Sequence, residues 1–127
     1  MAEINSPDKT ILLVEDNALN MKLAADLLEY NGFKVLKAVD GETALEILNT
    51  ALPALVLLDI QLPGIDGFEV FKRIRADRRL DPVKVAALTA QAMSEDLERI
   101  KAAGISACIT KPIAVKNFVN QIKVILA

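Results

Sequence analysis

The feature that most constrains this chain is an alternation of two hydrophobic periods. Five short strand-like runs stand at 11–14 (ILLV), 34–38 (KVLKA), 55–58 (LVLL), within 83–88 (ending VAAL) and at 107–109 (ACI), and all but the second, which carries Lys34 and Lys37, are continuously apolar. Between them, apolar residues recur at helical spacing. A strand that is apolar at successive positions, rather than at every second one, must be covered on both faces. Helices lying on both sides of one sheet supply that cover. The pattern therefore predicts an α/β fold with a doubly wound, five-stranded parallel sheet. The expected strand order is 2-1-3-4-5, the flavodoxin-like (βα)5 arrangement.

The helical stretches carry their own punctuation. Leu19, Leu23, Ala24, Leu27 and Leu28 recur at helical spacing up to Asn31-Gly32, a stop signal. Asp40 is placed to cap a helix carrying Ala44, Leu45 and Leu48. Asp66 and Glu69 have capping-box spacing ahead of Val70, Phe71 and Ile74. Ser94, followed by Glu95 and Asp96, reads as a further cap with first-turn acids, and that helix should stop near Gly104. Phe118, Ile122 and Ile125 or Leu126 predict a last amphipathic helix.

The chain has 127 residues, which suits one domain. The expected division is a polar tail at 1–9 and a folded domain at 10–127. Apolar residues make up 53%, charged residues 25%, and the net charge is −2, so nucleic acid is not the expected partner. No apolar run is long enough to span a membrane, and no leader pattern opens the chain. Cys108 is the only cysteine, which rules out an intrachain disulfide and makes the cytoplasm the expected compartment. The sequence contains no histidine, which excludes His-dependent triads and His-ligated metals.

The residues that follow the apolar runs carry the chemistry. The first is followed by Glu15-Asp16, the third by Asp59, the fourth by Thr89, and the fifth by Thr110 and Lys111. With order 2-1-3-4-5 these strands lie side by side, and their carboxyl ends open on one crevice. Three carboxylates held close repel one another, and one lysine cannot neutralise them. A hard divalent cation would, and oxygen donors without His or Cys suit Mg²⁺ better than Zn²⁺. A carboxylate beside such a cation, a lysine and a hydroxyl has the parts needed to accept a phosphoryl group. Taken alone, each has a plainer reading: Asp59 as a turn residue, Glu15-Asp16 as helix-start acids, Lys111 as a solvated lysine.

The segments LLVEDN, LLDIQLPGIDG, ALTA and ITKPI, in this order and spacing, resemble the response-regulator receiver domain over about 10–126. VEDNALNMKL, LLDIQLP and KPI resemble single-domain receivers of the cell-division kind and receivers fused to hybrid histidine kinases. The resemblance implies that Asp59 is the phosphoacceptor, supplied by a histidine kinase or histidine phosphotransferase. It implies that Asp16 binds Mg²⁺ directly, Glu15 mainly through water, and Gln61 through its backbone carbonyl. Thr89 would bind the phosphoryl group and reorient on activation. Lys111 would pair with that group or with Asp59, ahead of a cis bond to Pro112. Gln61 and Gln91 would flank the acceptor and tune hydrolysis.

Receivers usually carry an aromatic residue three positions before the lysine. Cys108 stands there instead, so output coupled through an aromatic gate is in question. The expected function is that of a single receiver without an output domain, monomeric or dimerising on phosphorylation, that docks on a downstream protein. A receiver excised from a hybrid kinase and a phosphorylation-independent docking receiver are the alternatives. Two other classes fit worse. An aspartate-nucleophile phosphatase would need an acid at Gln61. A flavin carrier would need a phosphate-cradling loop where Glu15-Asp16 stands.

Overall fold

The computed structural model describes residues 9–90, 94–105, 107–111, 113 and 115–127, with backbone alone at 94–96. Gln91, the Ser94 side-chain cap, the tail before Lys9 and the Lys111–Pro112 bond therefore lie outside the described residues. The strands are β1 (Thr10–Val14), β2 (Lys34–Ala38), β3 (Leu55–Asp59), β4 (Lys84–Thr89) and β5 (Ala107–Thr110). The helices are α1 (Ala18–Tyr30), α2 (Gly41–Leu48), α3 (Gly67–Ala76), α4 (Ser94–Ala103) and α5 (Val115–Leu126). All pairings are parallel, in the order β2-β1-β3-β4-β5.

Side chains of the central strands alternate between two cores, as a pleated sheet requires. Leu12, Val14, Val56, Leu58 and Ala87 face a cluster closed by Ala44 and Leu48 of α2, Val70 and Ile74 of α3, and Ile100 of α4. Ile11, Leu13, Leu55, Leu57 and Leu88 face the other, closed by Met21, Ala24 and Leu28 of α1 and Phe118 and Ile122 of α5. Every residue of β3 is buried, whereas β2, at the sheet edge, is partly open. The continuous apolar runs thus serve two cores at once.

The capping signals are realised with one difference. Asn17 accepts from Asn20 N–H, and Asp40 accepts from Thr43 N–H. Asp66 accepts from Glu69 N–H at 3.0 Å, but the Glu69 carboxylate turns to Arg73 at 2.9 Å instead of closing the capping box. A charged partner one turn ahead outcompetes a neutral N–H. Helix α1 also sits differently from the sequence reading. Leu19 and Leu23 are exposed, while Met21, Ala24, Ala25 and Leu28 are buried. With apolar residues on most of its circumference, this helix leaves its buried face open to choice by periodicity, and packing decides it. A short 3-10 turn at Arg78–Leu80, absent from the sequence reading, links α3 to β4.

Candidate functional site

Because all five strands run the same way, β1, β3, β4 and β5 end at one rim of the sheet. Glu15 stays locked in the sheet: its N–H donates to Ala38 C=O at 3.0 Å, and the residue is 1% exposed. Asp59 is the last residue of β3, in register with Leu88, and is 3% exposed. Ile60 N–H then donates to Leu88 C=O at 3.0 Å, so the chain cannot swing Asp59 away. Thr89 ends β4, also buried, and its C=O accepts from Lys111 N–H at 2.7 Å. Asp16, one residue beyond the sheet, is exposed at the rim.

Lys111 joins these groups. Its Nζ lies 2.8 Å from Asp59 Oδ2 and 2.8 Å from Glu15 Oε1. The second oxygen of each carboxylate takes a backbone N–H. Gln61 N–H donates to Asp59 Oδ1 at 3.0 Å, and Asn17 N–H donates to Glu15 Oε2 at 3.1 Å. The two contacts of the ammonium differ in kind. That to Asp59 has hydrogen-bond geometry; that to Glu15 is a close ion pair without it, which leaves the buried Oε1 with no hydrogen-bond partner.

The electrostatics follow from this geometry. Burial pushes the Glu15 carboxyl above its usual range; the Lys111 and Asn17 contacts pull it back only in part, and the Asp59 charge pushes further the same way. Burial alone would lower the Lys111 pKa, but the close contacts and negative charges of Asp59 and Glu15 together outweigh it and raise it. One ammonium stands against three carboxylates. Donor oxygens of Glu15, Asp16 and Asp59 lie within 4.8 Å of one another, close enough to share one metal ion. The all-oxygen donor set, with Glu15 Oε1 held only by an ammonium shared with Asp59, fits a hard divalent cation.

The structure thus brings Glu15, Asp16, Asp59, Thr89 and Lys111 to one rim and sets Gln61 in the loop directly beyond Asp59. It places Cys108 elsewhere, half-buried on β5 beside a cavity of about 500 Å³ that Asn117, Gln121 and Val124 of α5 also line.

One contributor escaped the sequence reading. A Cβ on Gly67 would lie 2.6 Å from Asp59 C=O oxygen and 2.7 Å from Ile60 Cα, so only glycine lets the first turn of α3 close on the end of β3. Its N–H donates to Ile60 C=O at 3.0 Å, fixing that approach. The available signal was a glycine directly after the capping Asp66, where almost any other residue is a better helix former.

A doubly wound parallel sheet with carboxylates and a lysine gathered at its switch point defines the receiver class of two-component signalling proteins. Residues 11–123 match the response regulator receiver domain, and the chain belongs to that family of phosphoacceptor signalling modules. It is 44% identical over 115 residues to the polar-differentiation response regulator DivK of Brucella ovis, covering 91% of this chain and 94% of that one. A putative response regulator from Chloroflexus aurantiacus superposes with a TM-score of 0.87 at 30% identity, covering 93% of this chain and 97% of that one. The chemotaxis response regulator CheY4 of Vibrio cholerae shares the fold, with a TM-score of 0.86 at 23% identity over 91% of this chain and 97% of that one. Receivers work with histidine kinases or phosphotransferases and with downstream targets. Among the described residues no helix is long and apolar enough to cross a membrane.

Proposed function

We propose that Asp59 accepts a phosphoryl group from a phosphohistidine on a kinase or phosphotransferase, and that the modified domain, 10–127, signals by docking. The observation that carries this reading is the bridge from Lys111 Nζ to both Asp59 and Glu15, at 2.8 Å each, beside a cluster able to hold a cation. The Asp59 oxygen attacks phosphorus, a new O–P bond forms, and the N–P bond breaks. The electron pair returns to the donor imidazole nitrogen. These 127 residues contain no histidine, so the donor ring lies outside them.

Each group has a defined part. The Gln61 N–H holds Asp59 Oδ1 and sets the orientation of the nucleophile. Lys111 moves its charge from the free carboxylate to the phosphoryl oxygens. Thr89, at the end of β4, supplies a hydroxyl to the same group. Glu15, Asp16, Asp59 and the Gln61 carbonyl would hold Mg²⁺, which neutralises phosphoryl charge when bound. The domain acts on itself and on its acyl phosphate rather than turning over a separate substrate, and it works in the cytoplasm. The modification would shift a two-state equilibrium of the loops that follow β3 and β4.

Intact-mass measurement after acetyl phosphate treatment tests this. A single phosphoryl adduct is expected with Mg²⁺, none with chelator, and none in Asp59→Asn. An adduct that persists in Asp59→Asn would remove Asp59 from its role.

A further inference from the structure

Between α3 and α4, away from the crevice, runs a groove of about 670 Å³ floored by Phe68, Phe71, Ala76, Ala103 and Gly104. Its cations stand in a defined pattern. The Arg99 guanidinium lies over the Phe68 ring, 4.4 Å from its centroid. Arg75 lies 5.5 Å from the Phe71 centroid and is pinned by N–H donation to Leu80 C=O and Val83 C=O. Lys72, exposed on the lip between them, has no acidic partner among the described residues. The two guanidinium groups thus stand over aromatic rings three positions apart on α3.

We propose that this groove is a docking site for an acidic amphipathic helix of a partner protein. Apolar side chains of the partner would lie against Phe68, Ala76 and Gly104 with the edge of Phe71 beneath, and acids flanking them would meet Arg99 and the exposed Lys72. Charge complementarity selects this occupant: the chain is acidic overall, at −2, yet the rim of its aromatic groove is cationic. A polyanion such as nucleic acid is a poorer match. Arg73 is paired with Glu69, and Arg79 with Asp77, so the neighbouring basic residues form no continuous unpaired stripe. The Phe68 and Phe71 floor serves an apolar anchor better than it serves a phosphate backbone. The proposal is independent of phosphorylation at Asp59.

The test uses the unphosphorylated full chain, labelled with ¹⁵N and titrated with three probes. The first is a synthetic helical peptide with Leu and Phe on one face and Glu residues flanking that face. The second is the same peptide with Lys for Glu, and the third is oligo(dT). Shifts confined to Phe68, Phe71, Lys72, Ala103 and Gly104 are expected with the acidic peptide alone. Lys72→Glu and Arg99→Glu should each weaken that binding about tenfold while keeping the dispersed spectrum of the folded protein. Equal or tighter binding of oligo(dT) at this face would replace the proposal with a polyanion patch. No acidic-peptide shifts at these residues, or undiminished binding in both folded variants, would overturn it.

Discussion

Replacing Lys111 by Met should expose how much strain the crevice carries. In the native chain the ammonium lies 2.8 Å from Glu15 and 2.8 Å from Asp59, whose donor oxygens are within 4.8 Å of each other. At that separation two carboxylates repel by about 3.5 kcal/mol at an effective dielectric constant of about 20. Methionine fills most of the lysine volume, so packing loss is small and the electrostatic loss dominates. The variant has one escape, protonation of Glu15, whose carboxyl burial already pushes upward. That escape costs less as pH falls. The expected destabilisation without metal is therefore about 2–4 kcal/mol at pH 8 and clearly less at pH 5.5. For a domain of this size it corresponds to a Tm loss on the order of 10 °C at the higher pH.

The assay is thermal and urea unfolding in chelator, run as a cycle with Glu15→Gln. In the Glu15→Gln background the lysine has one carboxylate fewer to hold apart. The cost of Lys111→Met should then drop by at least about 1 kcal/mol. The sign for Lys111 itself is also fixed. Its folded pKa is raised, so its stabilisation is complete below the ordinary value of 10.5 and fades as pH rises through the folded value. A cost that is equal in both backgrounds and flat between pH 5.5 and 8 would refute the coupled charge network.

Mg²⁺ binding should release protons and weaken as pH falls, because the Glu15 carboxyl titrates above its ordinary 4.5; calorimetry in buffers of different ionisation enthalpy measures it. Without metal the same shift makes the folded state hold the extra proton, so this group's contribution to stability declines as pH rises from 4.5 through the raised value. Gly67→Ala drives a methyl into the Asp59 carbonyl and the Ile60 backbone and should cost about 1–3 kcal/mol in urea unfolding, with slower phosphorylation. Burial raises the Cys108 thiol pKa, so alkylation by iodoacetamide in the folded protein should be at least about tenfold slower than in denaturant.

The fold was legible because strand and helix periods differ and each apolar run answers to both cores. The crevice was legible because strand order converts sequence-distant residues into neighbours: Glu15, Asp59, Thr89 and Lys111 needed only the order 2-1-3-4-5 to meet. What stayed hidden depends on packing rather than pattern. The buried face of α1 passes through Met21, Ala24 and Leu28 and leaves Leu19 outside, a choice that a helix apolar around most of its surface does not declare. The open capping box at Asp66 reflects competition from Arg73 for Glu69, which spacing alone leaves undecided. The demand on Gly67 arises from a backbone approach in three dimensions. The sharing of one ammonium by two buried carboxylates is likewise a matter of ångströms.

The most direct measurement is chemical trapping of the acyl phosphate. The protein is treated with acetyl phosphate and Mg²⁺, reduced with borohydride, digested and sequenced by tandem mass spectrometry. Reduction converts a phosphorylated aspartate to homoserine and leaves free carboxylates untouched. Homoserine at position 59 alone, absent without Mg²⁺, is the expected result. Homoserine at position 16 or at any other aspartate, with position 59 unmodified, would contradict the role given to Asp59.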